Sequence, residues 1–163
     1  MSIRAYVPTT MRRLRAMVTA GGIGPAPFVA HAVTDGVRAG LPDGGDEEWE
    51  YAAASAAAQS SVGMLDGDEP PRRVVLAVDV PAVRAGDHED PSLVEVDEVV
   101  PMRQVAAVLA DSGDAGTTVD AARDALAQRS ADAERLLARC LDHQLGWWGA
   151  QEIGVLLESD ANR

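Results

Sequence analysis

A continuous apolar run occupies residues 74–78, and Pro81 follows it closely. Because the run is rich in β-branched side chains and lacks polar alternation, it predicts a strand buried on both faces, near the centre of a sheet. In strand alternation, Asp79 shares a face with Val75 and Ala77. A buried, unpaired carboxylate costs several kcal/mol, so we expect Asp79 to reach water, an arginine or a hydrogen-bond donor at the strand end.

Two shorter strands and a helix are predicted before this central strand. Residues 3–7 form the first strand, which Pro8 ends, and residues 28–34 form the second. Between them, residues 10–20 show apolar side chains at helical spacing and are followed by two glycines. A strand, a helix and a strand in this order predict a parallel crossover.

The remaining pattern completes the predicted fold. Residues 46–65 are apolar nearly all round and predict a buried helix, and residues 93–100 and 103–110 predict a hairpin. Helices are predicted over 117–129, 131–144 and 150–158, with a break at Trp147 and Trp148. An apolar stripe through Leu137 and Cys140 predicts that the second of these helices faces the core. We therefore predict one α+β or α/β domain over residues 1–163, with a mixed sheet of about five strands covered by helices and a helical C-terminal third.

Charge and composition narrow the classes of partner. The formal net charge is −12, which opposes binding to the phosphate backbone of nucleic acids. The distribution is uneven, because residues 1–42 contain five arginines and one acidic residue, whereas the rest contains nine arginines and 25 acidic residues. Cys140 is the single cysteine, and no apolar run approaches the ~20 residues of a membrane span. We expect a soluble, cytoplasmic protein with no membrane contact and no cofactor.

The positive N-terminal third suggests an anion site. Thr9 and Thr10 precede the first helix, and Arg12 and Arg13 lie in its first turn, so hydroxyl, amide and guanidinium groups could converge there. Helix capping with surface arginines is the commoner structural reason for such a pattern.

Further candidates for a ligand-binding site are Arg4, His31 and Asp79. His31 shares a strand face with Val29 and Val33, where a satisfied core histidine is the commoner interpretation. His88 lies in an acidic loop without fixed ligand spacing, so we predict no metal site there. The sequence shows no nucleophile, base and orienting group at a spacing typical of a catalytic site. Whether the protein is an enzyme therefore stays open.

Trp147 and Trp148 are adjacent between two glycines and must point in different directions. One indole can fill the core while the other supplies an interface. We therefore predict a homodimer, or a contact with another protein, through these residues.

The stretches that carry a resemblance to known proteins are YVPTTMRRLRAM, AHAVT, DEEWEYAAASAAA, RRVVLAVDVP, VAAVLAD and HQLGWW. The chain resembles an uncharacterised family of small acidic actinobacterial proteins, to which no activity is attached. The order strand, helix, strand, buried helix, central strand also looks like the opening half of ADP-ribosyltransferase-like domains. That analogy would assign polar roles to Arg4 and His31, and it requires a late glutamate for which no motif matches.

Two functions follow from these observations. The leading hypothesis is a non-catalytic binding or interaction module. The alternative is an ADP-ribosyltransferase-like or other enzyme, or a binder, of a phosphate-containing small molecule at the N-terminal arginine and threonine cluster.

Overall fold

The fold is described from a computed structural model, which covers residues 1–86 and 89–162. Nine strands and six helices alternate irregularly along this part of the chain. The strands are β1 Ile3–Thr9, β2 Gly22–Ile23, β3 Phe28–Ala32, β4 Val74–Val80, β5 Arg84–Ala85, β6 Leu93–Val96, β7 Val100–Pro101, β8 Val105–Asp111 and β9 Leu145–Gly149. The helices are α1 Met11–Ala20, α2 Asp35–Gly40, α3 Asp46–Met64, α4 Gly116–Ala127, α5 Ala133–Cys140 and α6 Ile153–Ala161.

The main sheet has seven strands in the order β5-β6-β3-β1-β4-β8-β9, and β2 pairs with β7 in a separate ribbon. The α+β class and the buried strand over residues 74–80 are confirmed. The sheet differs from the predicted one, because every pairing in the described chain is antiparallel and there are seven strands instead of about five.

Two predicted pairings were wrong. β1 and β3 are neighbours but antiparallel, so α1 does not form a parallel crossover. β6 and β8 do not form a hairpin, because β6 pairs with β3 and β8 pairs with β4. Both errors have the same cause: the choice of strand neighbour depends on contacts between distant residues, which local patterns do not encode.

Helices cover both faces of the sheet, as the buried central strand requires. On one face, α3 packs its small side chains Ala53 and Ala57 against Tyr6, Val75 and Ala77. Alanine has little volume beyond Cβ, so the helix axis can approach the strands closely. The other face holds the larger core, where α1 and α6 pack against the valine-rich side of β1 and β4.

One serine ties α3 to the sheet. The buried Ser61 hydroxyl donates to the Thr9 carbonyl at 2.7 Å and accepts from the Val74 amide at 3.0 Å. These two groups lie at the end of β1 and the start of β4, which are register partners. Ser61 therefore satisfies two backbone groups that the end of the sheet would leave unpaired.

The C-terminal third is less helical than predicted. Residues 145–149, predicted as a break, form β9, and α5 ends at Cys140 instead of near residue 144. Cys140 is buried as expected, but Leu137 is only half-buried and Leu141 is exposed. The stripe on α5 therefore packs against α4 and the end of α3 in a small separate cluster, and not against the main core.

Candidate functional site

The candidate site is an apolar cleft between α3 and the end of the sheet formed by β8 and β9. Its volume is about 250 Å³. α3 contacts β3, β1 and β4 on this face, so Leu109 on β8 and Leu145 on β9 lie beyond it and are only half-buried. The cleft is lined by Tyr51, Ala54, Ser55, Ala58, Arg73, Leu109, Leu141, His143, Gln144 and Leu145.

Trp147 lies on the same face as this cleft. Its register partner on β8 is Leu109, one of the lining residues, and 68% of Trp147 is exposed. Tyr51 on α3 is also exposed, at 66%. Trp148 points to the opposite face, where it packs against the main core. The two tryptophans thus divide between core and surface, although an interface at Trp147 stays a prediction.

A buried ion pair lies beneath the cleft. Arg73 donates to both carboxylate oxygens of Asp111, from Nε at 2.9 Å and from Nη2 at 2.8 Å, and both residues are essentially inaccessible to water. The Arg73 amide also donates to Asp111, and Nη2 reaches the His143 carbonyl at 2.9 Å. This bidentate pair joins the residue before β4, the end of β8 and the segment before β9, so it positions the strand that carries Trp147.

Arg4 and Asp79 form a second arginine–aspartate pair on the same face. They are register partners on β1 and β4, and Nε of Arg4 lies 2.9 Å from Oδ1 of Asp79. The hydrogen bond to Asp79 raises the pKa of Arg4. Both side chains are about 40% exposed. Asp79 thus reaches an arginine at the strand end, as expected, and its role in ligand binding stays a prediction.

His31 is buried under α3 and takes part in a chain of hydrogen bonds. Its Nδ1 lies 2.8 Å from the Ser92 hydroxyl, and its Nε2 lies 3.0 Å from the Ser60 hydroxyl. Because the Ser92 hydroxyl donates to Asp90 at 2.7 Å, its oxygen can accept a hydrogen bond from Nδ1–H of His31. Nε2 can then accept a hydrogen bond from the Ser60 hydroxyl. Both ring nitrogens therefore have hydrogen-bond partners, as expected for a neutral histidine in a protein core. The bond between His31 and Ser60 connects β3 with α3.

The environment of His31 predicts acid sensitivity. Burial lowers the pKa of His31, and the attraction of Asp90 opposes this only in part. The unfolded chain therefore takes up a proton more readily than the folded protein once the pH falls below about 6.5, the ordinary value for histidine. Stability that is fully present above this pH is lost as the pH falls below it.

We expect the His31→Gln variant to lose less unfolding free energy between about pH 7 and about pH 5 than the wild type does. Glutamine still has polar groups that can bond Ser60 and Ser92, but it does not titrate. The measurement is urea denaturation at both pH values, with His143→Gln as the matched control. Equal pH dependence of wild type and His31→Gln would contradict this role.

The predicted anion site at the start of α1 has several of its groups already engaged. Thr10 is the N-cap, and its hydroxyl accepts from the Arg13 amide at 3.2 Å. Thr9 is buried, and its hydroxyl has no hydrogen-bond partner in the described chain. Arg12 pairs with Asp66 and Asp68 at 3.2 and 3.1 Å. The capping interpretation of Thr10 is confirmed, and an anion site there stays a prediction.

The sequence candidates do not converge on one pocket. Arg4 and Asp79 lie at the opposite end of β1 from Thr9, His31 is enclosed under α3, and Trp147 lies at the sheet edge. Asp87 and His88 lie outside the described residues, so the acidic loop stays untested. The cleft residues on α3, β8 and β9 were missed. Nothing local in the sequence marks them, because Leu109 lies in an unbroken apolar stretch and its partial exposure arises only from the tertiary structure.

Comparisons with known proteins place the chain in a family. A model described as a family of unknown function (DUF6912) matches residues 3–157. The chain belongs to this family. Membership agrees with the expectation of an uncharacterised family, and it brings no activity, ligand or partner with it. No curated protein and no solved structure matches the chain. None of the helices in the described ranges combines the length and apolar character that a membrane crossing requires.

Proposed function

We propose that the protein is a non-catalytic interaction module that self-associates through the free edge of β9. The observation that carries this proposal is the exposure of Trp147 on an outer strand, next to an apolar cleft. Large exposed aromatic side chains on a sheet edge cost free energy in water, and association removes them from it.

The edge of β9 is open to another strand. β8 is the one strand neighbour of β9 in the described chain. The Gly149 amide already donates to the Glu152 carboxylate at 2.7 Å, so the outer backbone groups that a second strand could use lie between Leu145 and Trp148. Natural edge strands usually carry a charge, a proline or a bulge that prevents pairing with another chain. The segment Leu145–Gly149 contains no charged residue and no proline. β-strand addition is a common mode of protein recognition, and this edge has the features that it requires.

The sequence of β9 favours a second copy of this chain as the partner. In an antiparallel two-fold pairing centred on Trp147, each Trp148 lies opposite Gly146 of the second copy. Each Leu145 likewise lies opposite Gly149 of the second copy. A large residue therefore meets a small one in every pair except the central one, where two indoles meet on the two-fold axis. Such self-complementarity is what an isologous interface needs.

The net charge acts against this association. Two copies that each carry −12 repel one another, and salt screens this repulsion beyond about 8 Å at physiological ionic strength. Because β9 itself is uncharged, its contacts do not weaken with salt. We expect the homodimer to be tighter at high salt than at low salt, which is opposite to the behaviour of an interface based on ion pairs.

A charge-exchange experiment tests both the interface and its register. Trp147→Lys and Trp147→Glu each place like charges against one another on the two-fold axis, so each variant alone is expected to be monomeric by light scattering. An equimolar mixture is expected to associate, because opposite charges then meet. A tryptophan at the centre of an interface is commonly worth at least ~2 kcal/mol, so each single variant should weaken dimerisation about 30-fold or more.

Val99→Ala is the control, since this exposed valine follows β6, which lies near the end of the main sheet opposite β9. It is expected to dimerise like the wild type. A wild type that is monomeric at every salt concentration would rule out self-association. Undiminished dimers of Trp147→Lys would place the interface elsewhere.

A further inference from the structure

A second groove lies beside α1, away from the β9 edge. Its volume is about 460 Å³, which falls within the range of small-molecule sites, about 300–1,000 Å³. The walls are α1, the segment after it and the start of β3, and Met64 at the end of α3 contributes one side. Apolar side chains dominate its surface, including Met17, Ile23, Phe28 and Val29.

One cation faces this groove. Arg13 lies on the same face of α1 as Ala16, Met17 and Ala20, at helical spacing. The neighbouring arginines of α1 are engaged by the protein, because Arg12 pairs with Asp66 and Asp68 and Arg15 donates to the Leu157 carbonyl. The Arg13 guanidinium, in contrast, has no hydrogen bond or ion pair to any residue in 1–86 or 89–162.

From this arrangement we infer that the groove binds an amphipathic carboxylate, a small molecule with an apolar chain or ring and one carboxylate group. The apolar walls take the body of the ligand, which gains free energy by leaving water. The guanidinium of Arg13 holds the carboxylate in a bidentate hydrogen-bonded pair. This site is separate from the β9 edge and does not depend on the proposed self-association.

The charges of the chain favour a monoanion. A single guanidinium can neutralise one carboxylate, whereas a doubly charged phosphate would keep an excess negative charge next to a chain with a net charge of −12. A neutral amphiphile would bury the same apolar surface but would leave Arg13 without a partner. The groove therefore discriminates by head group as well as by chain length.

Calorimetric titration with decanoate, below its micelle concentration, tests the inference. Each additional methylene in the series from hexanoate to decanoate is expected to tighten binding about two- to fourfold, because each buried CH₂ contributes at most ~0.8 kcal/mol. Arg13→Gln is expected to weaken decanoate about tenfold, the effect of losing a hydrogen bond to a charged group. Arg12→Gln is the matched control in the adjacent position and should bind like the wild type.

Decanol is the second probe. It should bind the wild type more weakly than decanoate does, and Arg13→Gln should leave its affinity unchanged. Methyl resonances of Met17, Val29 and Met64 should shift on addition of decanoate, while those of Leu145 in the other cleft should not. The inference is overturned by an absence of decanoate binding, by equal affinity for decanoate and decanol, by an unaffected Arg13→Gln variant, or by shifts confined to Leu145.

Discussion

Asp111→Ala is expected to reduce the free energy of unfolding by about 3–5 kcal/mol, the usual loss when one partner of a buried ion pair is removed. The reason is local. Arg73 is only 1% exposed. In the wild type its Nε and Nη2 atoms donate to the two carboxylate oxygens of Asp111 and to the His143 carbonyl. In the variant, the His143 carbonyl is the one of these acceptors that remains. The Arg73 amide also loses its partner.

The chain offers a matched control for this experiment. Arg4 and Asp79 form the same kind of pair across two neighbouring strands, but their side chains are about 40% exposed. Removing an exposed ion pair changes stability by about 0–1 kcal/mol, so Asp79→Ala should be nearly neutral. Urea denaturation of both variants measures the difference. Equal losses would show that burial does not determine the contribution of the Arg73–Asp111 pair.

A double variant separates the cost of an unpaired charge from the value of the pair. Replacing both partners with apolar residues, as in Arg73→Met/Asp111→Leu, removes the buried charges together. We expect this variant to be more stable than Asp111→Ala alone, because no uncompensated ion remains in the interior. If the double variant is the less stable of the two, the pair itself contributes net stability.

Leu156→Ala is expected to cost about 2–5 kcal/mol, the range for large-to-small substitutions in a packed core. Leu156 lies on α6, is fully buried and belongs to the main core cluster together with Leu14 on α1. Its truncation would leave a cavity between α1, α6 and the sheet. Backbone hydrogen bonds hold the surrounding strands in the sheet, so the neighbouring side chains cannot move in to fill that space.

Val155 provides the control for this substitution. It is the preceding residue on the same helix, and it is exposed. Val155→Ala should change the free energy of unfolding by no more than ~0.5 kcal/mol, as most surface substitutions do. If Leu156→Ala loses as little unfolding free energy as Val155→Ala does, then α6 does not pack against this face of the core as the structure indicates.

The β9 edge shows why the candidate site was only partly accessible to prediction. The two adjacent tryptophans indicated that one indole would be buried and the other exposed, and the structure places Trp148 against the core and Trp147 outside. The flanking glycines, however, led to a predicted break instead of a strand. β9 is a strand because β8 supplies its ladder partners, from 34 residues away at the Asp111↔Leu145 pair to 42 at Ala107↔Gly149. The local β-propensity of residues 145–149 does not indicate their pairing with β8.

The sequence by itself determined the elements whose signal is local. The apolar run that became β4, the apolar helix α3 and the capped start of α1 follow from periodicity and capping chemistry within a few residues. Only the tertiary structure decided the antiparallel strand order, the pairing of Arg73 with Asp111 and the cleft beside Trp147. These depend on residues that are far apart in the chain, and their free energy exists only once the sheet has formed.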